Sequence, residues 1–360
     1  MRVRTVIQSE NKLLQDVTST LESILEAKIQ KRSGLPGEEG IDFVLEVRGI
    51  QGVWIMPVEV KKQAYPRDIR QAIWKIEEFC QKNTSNPDIV PIFVAELISD
   101  GARKMLKEHD IGYYEMGGTL FIKNKQSLID IQKPRKKAAK RGSSDLFTDA
   151  REMVVHALLQ SQGKWFSGEE LSERSGTSAY TVSGVLRELE MREWLEKTSE
   201  GGRLQRRRLI NPGALLNAWS KASMERDNRA LYGYLFAPDV VDCVRKIERK
   251  VNLSGGDIRW VLTGALPANQ ATPLLTGVNV AEIIVPHGSA ELFIQLTGIK
   301  RAEKGYNVVV HECAPAALQF INYENSIPVA SDFIQYLSLL DGKGRNAELA
   351  EQFRREILEI

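Results

Sequence analysis

The apolar positions near the start of the chain change from helical to strand spacing. A glycine-rich segment, residues 34–40, separates the two patterns and is expected to end the first element. Residues 41–48 and 53–61 alternate as two strands, and the glycine-flanked RGIQG between them favours a hairpin. Before the glycines, apolar side chains three or four apart in residues 13–29 predict an amphipathic helix; they are Leu14, Val17, Leu21, Ile24, Leu25 and Ile29.

The same domain continues with further helical and strand segments. Pro66 suits the first turn of a helix, which is expected to reach about Cys80. Together these segments predict an α/β domain over residues 1–130. Its last three predicted elements are a strand in residues 88–97, a helix in residues 99–110 and a final strand in residues 111–122.

A basic segment follows this domain. KPRKKAAKRGSSD, residues 133–145, contains six basic side chains and almost no apolar ones, which predicts a linker placed at 131–145. Such a segment serves either as a solubilising tether or as a non-specific contact to phosphates. Both interpretations stay open at this point.

Residues 146–220 show the pattern of a winged helix-turn-helix domain. TDAREMVVHALLQ and SGEELSERSG predict two helices, the second capped by Ser167. TSAYTVSGVLRELEMREWL predicts a third helix, capped by Thr177 or Ser178. EKTSEGGRLQRRRLI then predicts a β-hairpin, the wing, which turns at the pair Gly201–Gly202.

The third helix of this domain is expected to enter the major groove of double-stranded DNA. Its apolar stripe of Val182, Val185, Leu186 and Leu189 faces inward, which leaves small hydroxyls and one aromatic side chain near its start. The wing adds arginines up to Arg208 for phosphate or minor-groove contacts. The alternative is a winged helix used only for protein contacts. The predicted DNA-binding residues, which require no cofactor, are Ser178, Tyr180, Thr181, Ser183, Arg187, Arg203, Arg206 and Arg207.

The last part of the chain, residues 221–360, returns to an α/β pattern. DIRWVLTGALPA predicts strand, turn and helix, VNVAEIIVP and YNVVVHECAP predict strands, and the segment from Ser331 to Leu358 predicts a closing pair of helices. The turn at Thr263 and Gly264 lacks the glycine and lysine pattern of a phosphate loop, so a tight strand-to-helix turn is expected there.

Asp42, Glu59 and Lys61 are the candidate catalytic residues of the first domain. Glu59 and Lys61 are two apart in a predicted strand and therefore share a face, while the hairpin brings Asp42 to the neighbouring strand. Carboxylates are ligands that Mg²⁺ prefers, so Asp42 and Glu59 are candidate metal ligands. The alternative needs no metal, because Lys61 could pair directly with Glu59.

Charge is distributed unevenly along the 360 residues. The whole chain has a net charge of +2, whereas residues 133–229 contain 19 Lys and Arg against 13 Asp and Glu, a net charge of +6. A polyanionic partner is therefore expected to bind the middle of the chain. No secretory signal and no membrane-spanning run are recognised, so a cytoplasmic protein is expected.

Three stretches together resemble a known family. EVKKQAYPRDIRQAI, AELISDGARKMLKEHDIGYYEMGG and ASDFIQYLSLLDGKGRNAELAEQFRREIL are similar to parts of AbiEi-type antitoxins and transcriptional regulators of type IV toxin-antitoxin systems. The resemblance touches all three predicted domains, and the order and combination of the stretches carry it.

The resemblance implies a fold and a function. The first domain would have the PD-(D/E)XK restriction-endonuclease fold, in which Asp42, Glu59 and Lys61 fill the catalytic positions and Gln71 and Glu26 assist them. The last domain would be similar to nucleotidyltransferases, although its strand after Gly264 offers only Glu282 instead of two acidic residues. The implied protein is an autorepressor that counteracts a nucleotidyltransferase-like toxin or protects its target, of open oligomeric state. The alternative is a metal-dependent DNA nuclease directed by its winged helix.

Overall fold

The computed structural model describes residues 2–49, 52–84, 88–124, 127–133, 146–199, 201–226, 229–255, 258–340, 342 and 344–360. The chain is mixed α/β and forms two compact units. The first unit contains residues 1–143 and 189–193, and the second contains residues 144–188 and 194–360. Most of the predicted basic linker, from residue 134 onward, lies outside the described residues.

The first unit is built on a seven-stranded sheet whose strands lie side by side in sequence order. Strands β3, β4 and β5 are parallel to one another, and the other neighbouring strands are antiparallel. The strands are β1 (Lys28–Lys31), β2 (Phe43–Gly49), β3 (Gly52–Ala64), β4 (Ile92–Ile98), β5 (Gly112–Glu115), β6 (Thr119–Lys123) and β7 (Leu128–Ile131). The helices are α1 (Arg2–Leu25), α2 (Pro66–Lys82) and α3 (Asp100–Glu108).

Helices cover both faces of this sheet. Leu13, Val17 and Leu21 of α1 pack with the side chains of β3 at even positions, such as Val58 and Val60. On the opposite face, α2 and α3 bury their apolar stripes against Ile55 of β3 and against its neighbours. Because strand side chains alternate, β3 therefore faces α1 with one set of residues and α2 with the other.

Two predictions for this unit are wrong in detail. The first helix ends at Leu25 and not near Gly34, because Glu26 adopts a left-handed backbone with φ of 47°, and Ile29 belongs to β1. Residues 111–122 form the two strands of a hairpin and not one strand. Gly117 and Gly118, at φ of 104° and 95°, make the turn between β5 and β6, which other residues would adopt only with strain.

The predicted winged helix-turn-helix elements come next, and apart from residues 189–193 they belong to the second unit. They are α4 (Asp149–Leu159), α5 (Gly168–Ser175), α6 (Ala179–Met191), β8 (Leu195–Lys197) and β9 (Arg207–Leu209), with a 3₁₀ turn at Gly202–Leu204. Ser167 and Glu170 form a capping box at α5. Ser178 begins α6, since its hydroxyl accepts the Thr181 N–H at 3.2 Å.

A second seven-stranded sheet follows, in the order β13-β10-β14-β12-β11-β16-β15. The pairs β12–β14 and β11–β16 are parallel and the other neighbours are antiparallel. Its strands are β10 (Ala230–Tyr234), β11 (Val261–Thr263), β12 (Ala281–Pro286), β13 (Lys300–Arg301), β14 (Val308–Cys313), β15 (Asn322–Glu324) and β16 (Ile327–Val329). The helices are α7 (Pro212–Met224), α8 (Val240–Leu253), α9 (Ala265–Ala271), α10 (Ala290–Thr297), α11 (Asp332–Leu339) and α12 (Asn346–Phe353).

Helix α4 lies in the interior of the second unit. Every residue from Val154 to Leu159 is buried, so the helix has neighbours on all sides. Its buried His156 bonds the Ala316 carbonyl at 2.9 Å and the Ser331 hydroxyl at 2.7 Å. Residues 144–188 and 194–360 belong to this one compact unit.

His156 is expected to make this unit acid-sensitive. The Ala316 carbonyl can only accept, so Nδ1 carries the proton and Nε2 accepts from Ser331. Burial lowers the pKa of His156 from 6.5 to about 4, with the bond to Ala316 opposing that shift. The unfolded chain therefore binds a proton that the folded chain excludes between these pH values, and stability falls as the pH falls through this window.

Urea unfolding of the wild type and of His156→Gln at pH 7.5 and at pH 4 measures this effect. The variant is less stable at pH 7.5 because it lacks the native contacts of the ring. On acidification, the wild type should lose about 3 kcal/mol more than the variant. Equal losses in the two proteins would contradict a buried neutral histidine.

Candidate functional site

Asp42 and Glu59 come together at the start of β2. The antiparallel register pairs Phe43 with Val58, so the next position outward places Asp42 beside Glu59. The Asp42 carboxylate is fixed there, because Oδ2 accepts the Val60 N–H at 2.8 Å. The predicted pairing of the two carboxylates on neighbouring strands is therefore present in the fold.

Glu59 is fully buried and is paired with a lysine that the sequence analysis missed. Lys75 of α2 donates from Nζ to both carboxylate oxygens of Glu59, at 3.1 and 3.2 Å. Lys61 instead is exposed, so the predicted alternative of a Lys61–Glu59 ion pair names the wrong lysine. The physical reason is the packing of α2 on the odd face of β3, which brings Lys75 over the carboxylate.

Opposing effects act on the pKa of Glu59. Burial raises the pKa of Glu59 above its ordinary value of 4.5, and the negative charge of Asp42 raises it further. The hydrogen bonds and charge of Lys75 lower it, as does the charge of Lys61. Two carboxylates and two ammonium groups thus form one coupled cluster at this end of the sheet.

The two residues predicted to assist this cluster lie in different places. Gln71 is exposed on α2 one helical turn before Lys75, on the same side of the helix. Glu26 precedes β1, whose first residue pairs with Arg48 at the far end of β2. Arg48 is six residues from Asp42 along β2, so Glu26 lies roughly 20 Å from Asp42. The fold does not bring Glu26 to the cluster.

A divalent cation at this cluster would compete with Lys75. Asp42 and Glu59 supply carboxylate oxygens of the kind that Mg²⁺ prefers. Within the described ranges, no group of three His, Cys, Asp or Glu side chains is arranged to hold a metal. Both oxygens of Glu59 contact the ammonium of Lys75, so a cation fits between the carboxylates only when Lys75 moves away.

The exposed side of α6 carries the predicted major-groove residues. Val182, Val185, Leu186 and Leu189 are buried, as their spacing predicts. Tyr180 is 90 % exposed, and Ser183 and Arg187 follow it at exposed positions one and two turns later. The hydroxyls of Ser178 and Thr181 lie 3.0 Å apart and bond each other.

The wing arginines have partners within the same unit. Arg206 pairs with Glu170 at 3.2 Å, while Arg207 donates to the side chain of Gln205 at 2.6 Å. Arg208 pairs with Glu196, and its guanidinium lies 5.1 Å from the ring centre of Trp165. The side chain of Arg203 lies outside the described residues. A phosphate contact by Arg206 would therefore exchange Glu170 for the phosphate.

The turn after β11 forms a second polar cluster. Gly264 has φ of 75°, and a Cβ there would lie 2.6 Å from Glu282 Oε1, so only glycine fits. On the other side, Glu282 bonds His311 of β14 at 3.2 Å. The side chains of Thr263 and Ser338 also bond each other, at 2.9 Å. Glu282 thus faces a histidine at this turn.

Comparisons with known proteins were made for the whole chain. No protein-family model, no curated protein and no solved structure matches it. Within the parts of the chain that the structure describes, no helix has an apolar run as long as a bilayer span requires.

Removing Lys75 should strengthen metal binding at Asp42 and Glu59. In Lys75→Met, Glu59 has lost its paired ammonium, so a divalent cation can bind the carboxylates without displacing Lys75. We expect weak Mn²⁺ binding by the wild type in calorimetry, about tenfold tighter binding by Lys75→Met, and none by Glu59→Gln.

The matched control is Lys82→Met, which removes an exposed lysine of the same helix, paired with Glu78. It should bind Mn²⁺ as the wild type does. Equal affinities for the wild type and Lys75→Met would show that Lys75 does not compete for the carboxylates.

Proposed function

We propose that this chain is a DNA-binding transcriptional regulator that acts as an AbiEi-like antitoxin of a type IV system. In this proposal the winged helix-turn-helix binds operator DNA and represses transcription of its own operon in the cytoplasm. The part of the chain that contains the C-terminal sheet then neutralises a nucleotidyltransferase-like toxin through contacts. It does not itself transfer nucleotides. Duplex binding needs no cofactor.

The observation that carries DNA binding is the exposed side of α6. Tyr180, Ser183 and Arg187 project from a helix whose other side is buried, and a two-stranded wing follows. A helix of this kind fits the major groove, where an arginine can bind guanine and a hydroxyl can bond several bases. A winged helix used only for protein contacts would need no such polar stripe.

The charge distribution supports the same proposal. Residues 133–229 have a net charge of +6 in a chain of +2, and the wing contributes Arg206, Arg207 and Arg208. Neutralising phosphates releases condensed counterions, so a basic segment of this kind binds duplex DNA with strong salt dependence.

The antitoxin part rests on the sequence resemblance. The closing stretch that resembles AbiEi proteins forms α11 and α12, which lie beside the β11–α9 turn. At that turn, Glu282 pairs with His311 in place of a second carboxylate, and two-metal nucleotidyl transfer needs acidic ligands. A neighbouring gene for a nucleotidyltransferase-like protein would support this assignment.

A second candidate function is a metal-dependent DNA nuclease. The order of α1, three antiparallel strands, α2 and the parallel β4, with Asp42 and Glu59 on adjacent strands, favours a PD-(D/E)XK-like domain. Asp42 and Glu59 would hold Mg²⁺ there, and Lys61 would stabilise charge on the phosphate.

We expect little or no cleavage of plasmid DNA by the wild type with Mg²⁺, because Lys75 is paired with the Glu59 carboxylate that would have to bind the metal. Robust cleavage that disappears in Glu59→Ala and in Lys61→Ala, while both variants still bind duplex DNA, would place the chain among the nucleases.

Duplex binding is tested by electrophoretic mobility shifts on the DNA upstream of its own gene. Replacing Arg206 and Arg207 with Ala should weaken binding to all sequences and reduce the salt slope by about 2, roughly one per lost phosphate contact. Tyr180→Ala and Ser183→Ala should instead change the preferred sequence.

Arg245→Ala, on α8 outside the winged helix, provides the control and should bind as the wild type does. Absence of any shift at low salt, or equal losses in Arg245→Ala and the wing variant, would overturn the proposal.

A further inference from the structure

Helix α2 exposes a tryptophan that its packing does not require. Trp74 is 64 % exposed, whereas the apolar stripe of α2, from Ile69 to Phe79, is fully buried without it. Among the described residues of the first unit, no other aromatic side chain is exposed to this extent. The indole therefore offers a flat apolar surface to a partner of the protein.

Polar and cationic side chains share the exposed side of α2 with this indole. Arg67 and Gln71 precede Trp74 by seven and three residues, so the three lie along one stripe of the helix. All three are exposed. The stripe leads from the indole toward the start of the helix, where β3 ends.

Two cations at this end form no direct ion pair. Lys61 and Arg67 are exposed, and in the described part of the chain neither forms an ion pair with a carboxylate. Lys75, beside Trp74, pairs with Glu59 and neutralises the more buried of the two carboxylates. Farther along α2, Glu77 and Glu78 have partners of their own in His109 and Lys82. The half of α2 that contains Trp74 and Arg67 therefore attracts anions.

We propose that this surface of α2 binds single-stranded nucleic acid. A base stacks on Trp74, while Arg67 and Lys61 contact phosphates farther along the strand, toward the start of α2. An exposed indole beside unpaired cations is the combination that single-strand binding proteins use, because every base has a flat face. A duplex is a poor partner, since its bases are already stacked on each other. This surface is separate from the winged helix and does not depend on the function proposed for it.

The full-length protein is titrated against a labelled oligothymidine about 20 nucleotides long at low salt, with anisotropy as the readout. Trp74→Ala should weaken binding about tenfold, as expected for the loss of one stacked base. Trp74→Phe keeps an aromatic face and should stay within about threefold of the wild type. Arg67→Ala should weaken binding and flatten its salt dependence.

Two comparisons separate this surface from the winged helix and from general effects on folding. Tyr323→Ala removes a 72 % exposed aromatic from β15 and should bind the oligothymidine as the wild type does. Trp74→Ala should bind duplex DNA unchanged, whereas Arg206→Ala should lose duplex affinity and keep single-strand affinity. A failure of duplex binding alone therefore leaves this inference standing.

Three results would overturn it. They are wild-type protein that does not bind the oligothymidine, Trp74→Ala that binds it as tightly as the wild type, and Trp74→Phe that loses as much affinity as Trp74→Ala. The last result would show that the indole acts without stacking, for example in a contact with another protein.

Discussion

The burial of helix α4 on all sides is the constraint on which the second unit depends. A helix with six consecutive buried residues, Val154 to Leu159, needs neighbours around its whole circumference. Its polar side chains are bonded to residues distant in sequence. Glu152 accepts from the Trp219 indole at 2.6 Å and from Arg226 at 2.8 Å, one helical turn before His156 and its own partners. Losing either set of bonds would leave a buried polar group unsatisfied, which costs about 1–3 kcal/mol.

The burial of α4 also supports the surface that is proposed to bind DNA. Residues 179–188 of α6 and the wing belong to the unit whose interior includes α4, so their exposed side chains project from a packed core. Arg151 of α4 pairs with Glu188 of α6 at 2.5 Å, which ties α6 directly to the buried helix. A preorganised surface loses less conformational entropy on binding, and its side chains can contact bases in one register.

Local signals explain which elements the sequence predicts. Pro66 at the start of α2, Ser167 and Ser178 as caps, and the apolar stripe of α6 all act within a few residues. Strand β1 has no such signal, since KIQK contains one apolar residue and its pairing with β2 spans a loop. The contact between Lys75 and Glu59 depends on how α2 packs over β3, which spacing along the chain does not give.

The same distinction applies to the candidate sites. Asp42 and Glu59 can be paired from a hairpin and strand alternation alone, because both rules are local. Whether a cation or a lysine balances them is decided by tertiary packing. Likewise, spacing predicts that Tyr180 faces outward, but the engagement of Arg206 by Glu170 follows from the contact of the wing with α5.

Hydrogen exchange of the full-length protein with and without its upstream duplex tests the central claim most directly. Binding through the winged helix predicts that duplex DNA slows amide exchange in residues 179–191 and 195–209 and leaves the strands around Glu59 unchanged. Protection confined to the first unit, or no protection at saturating duplex, would contradict the assignment of DNA binding to α6 and the wing.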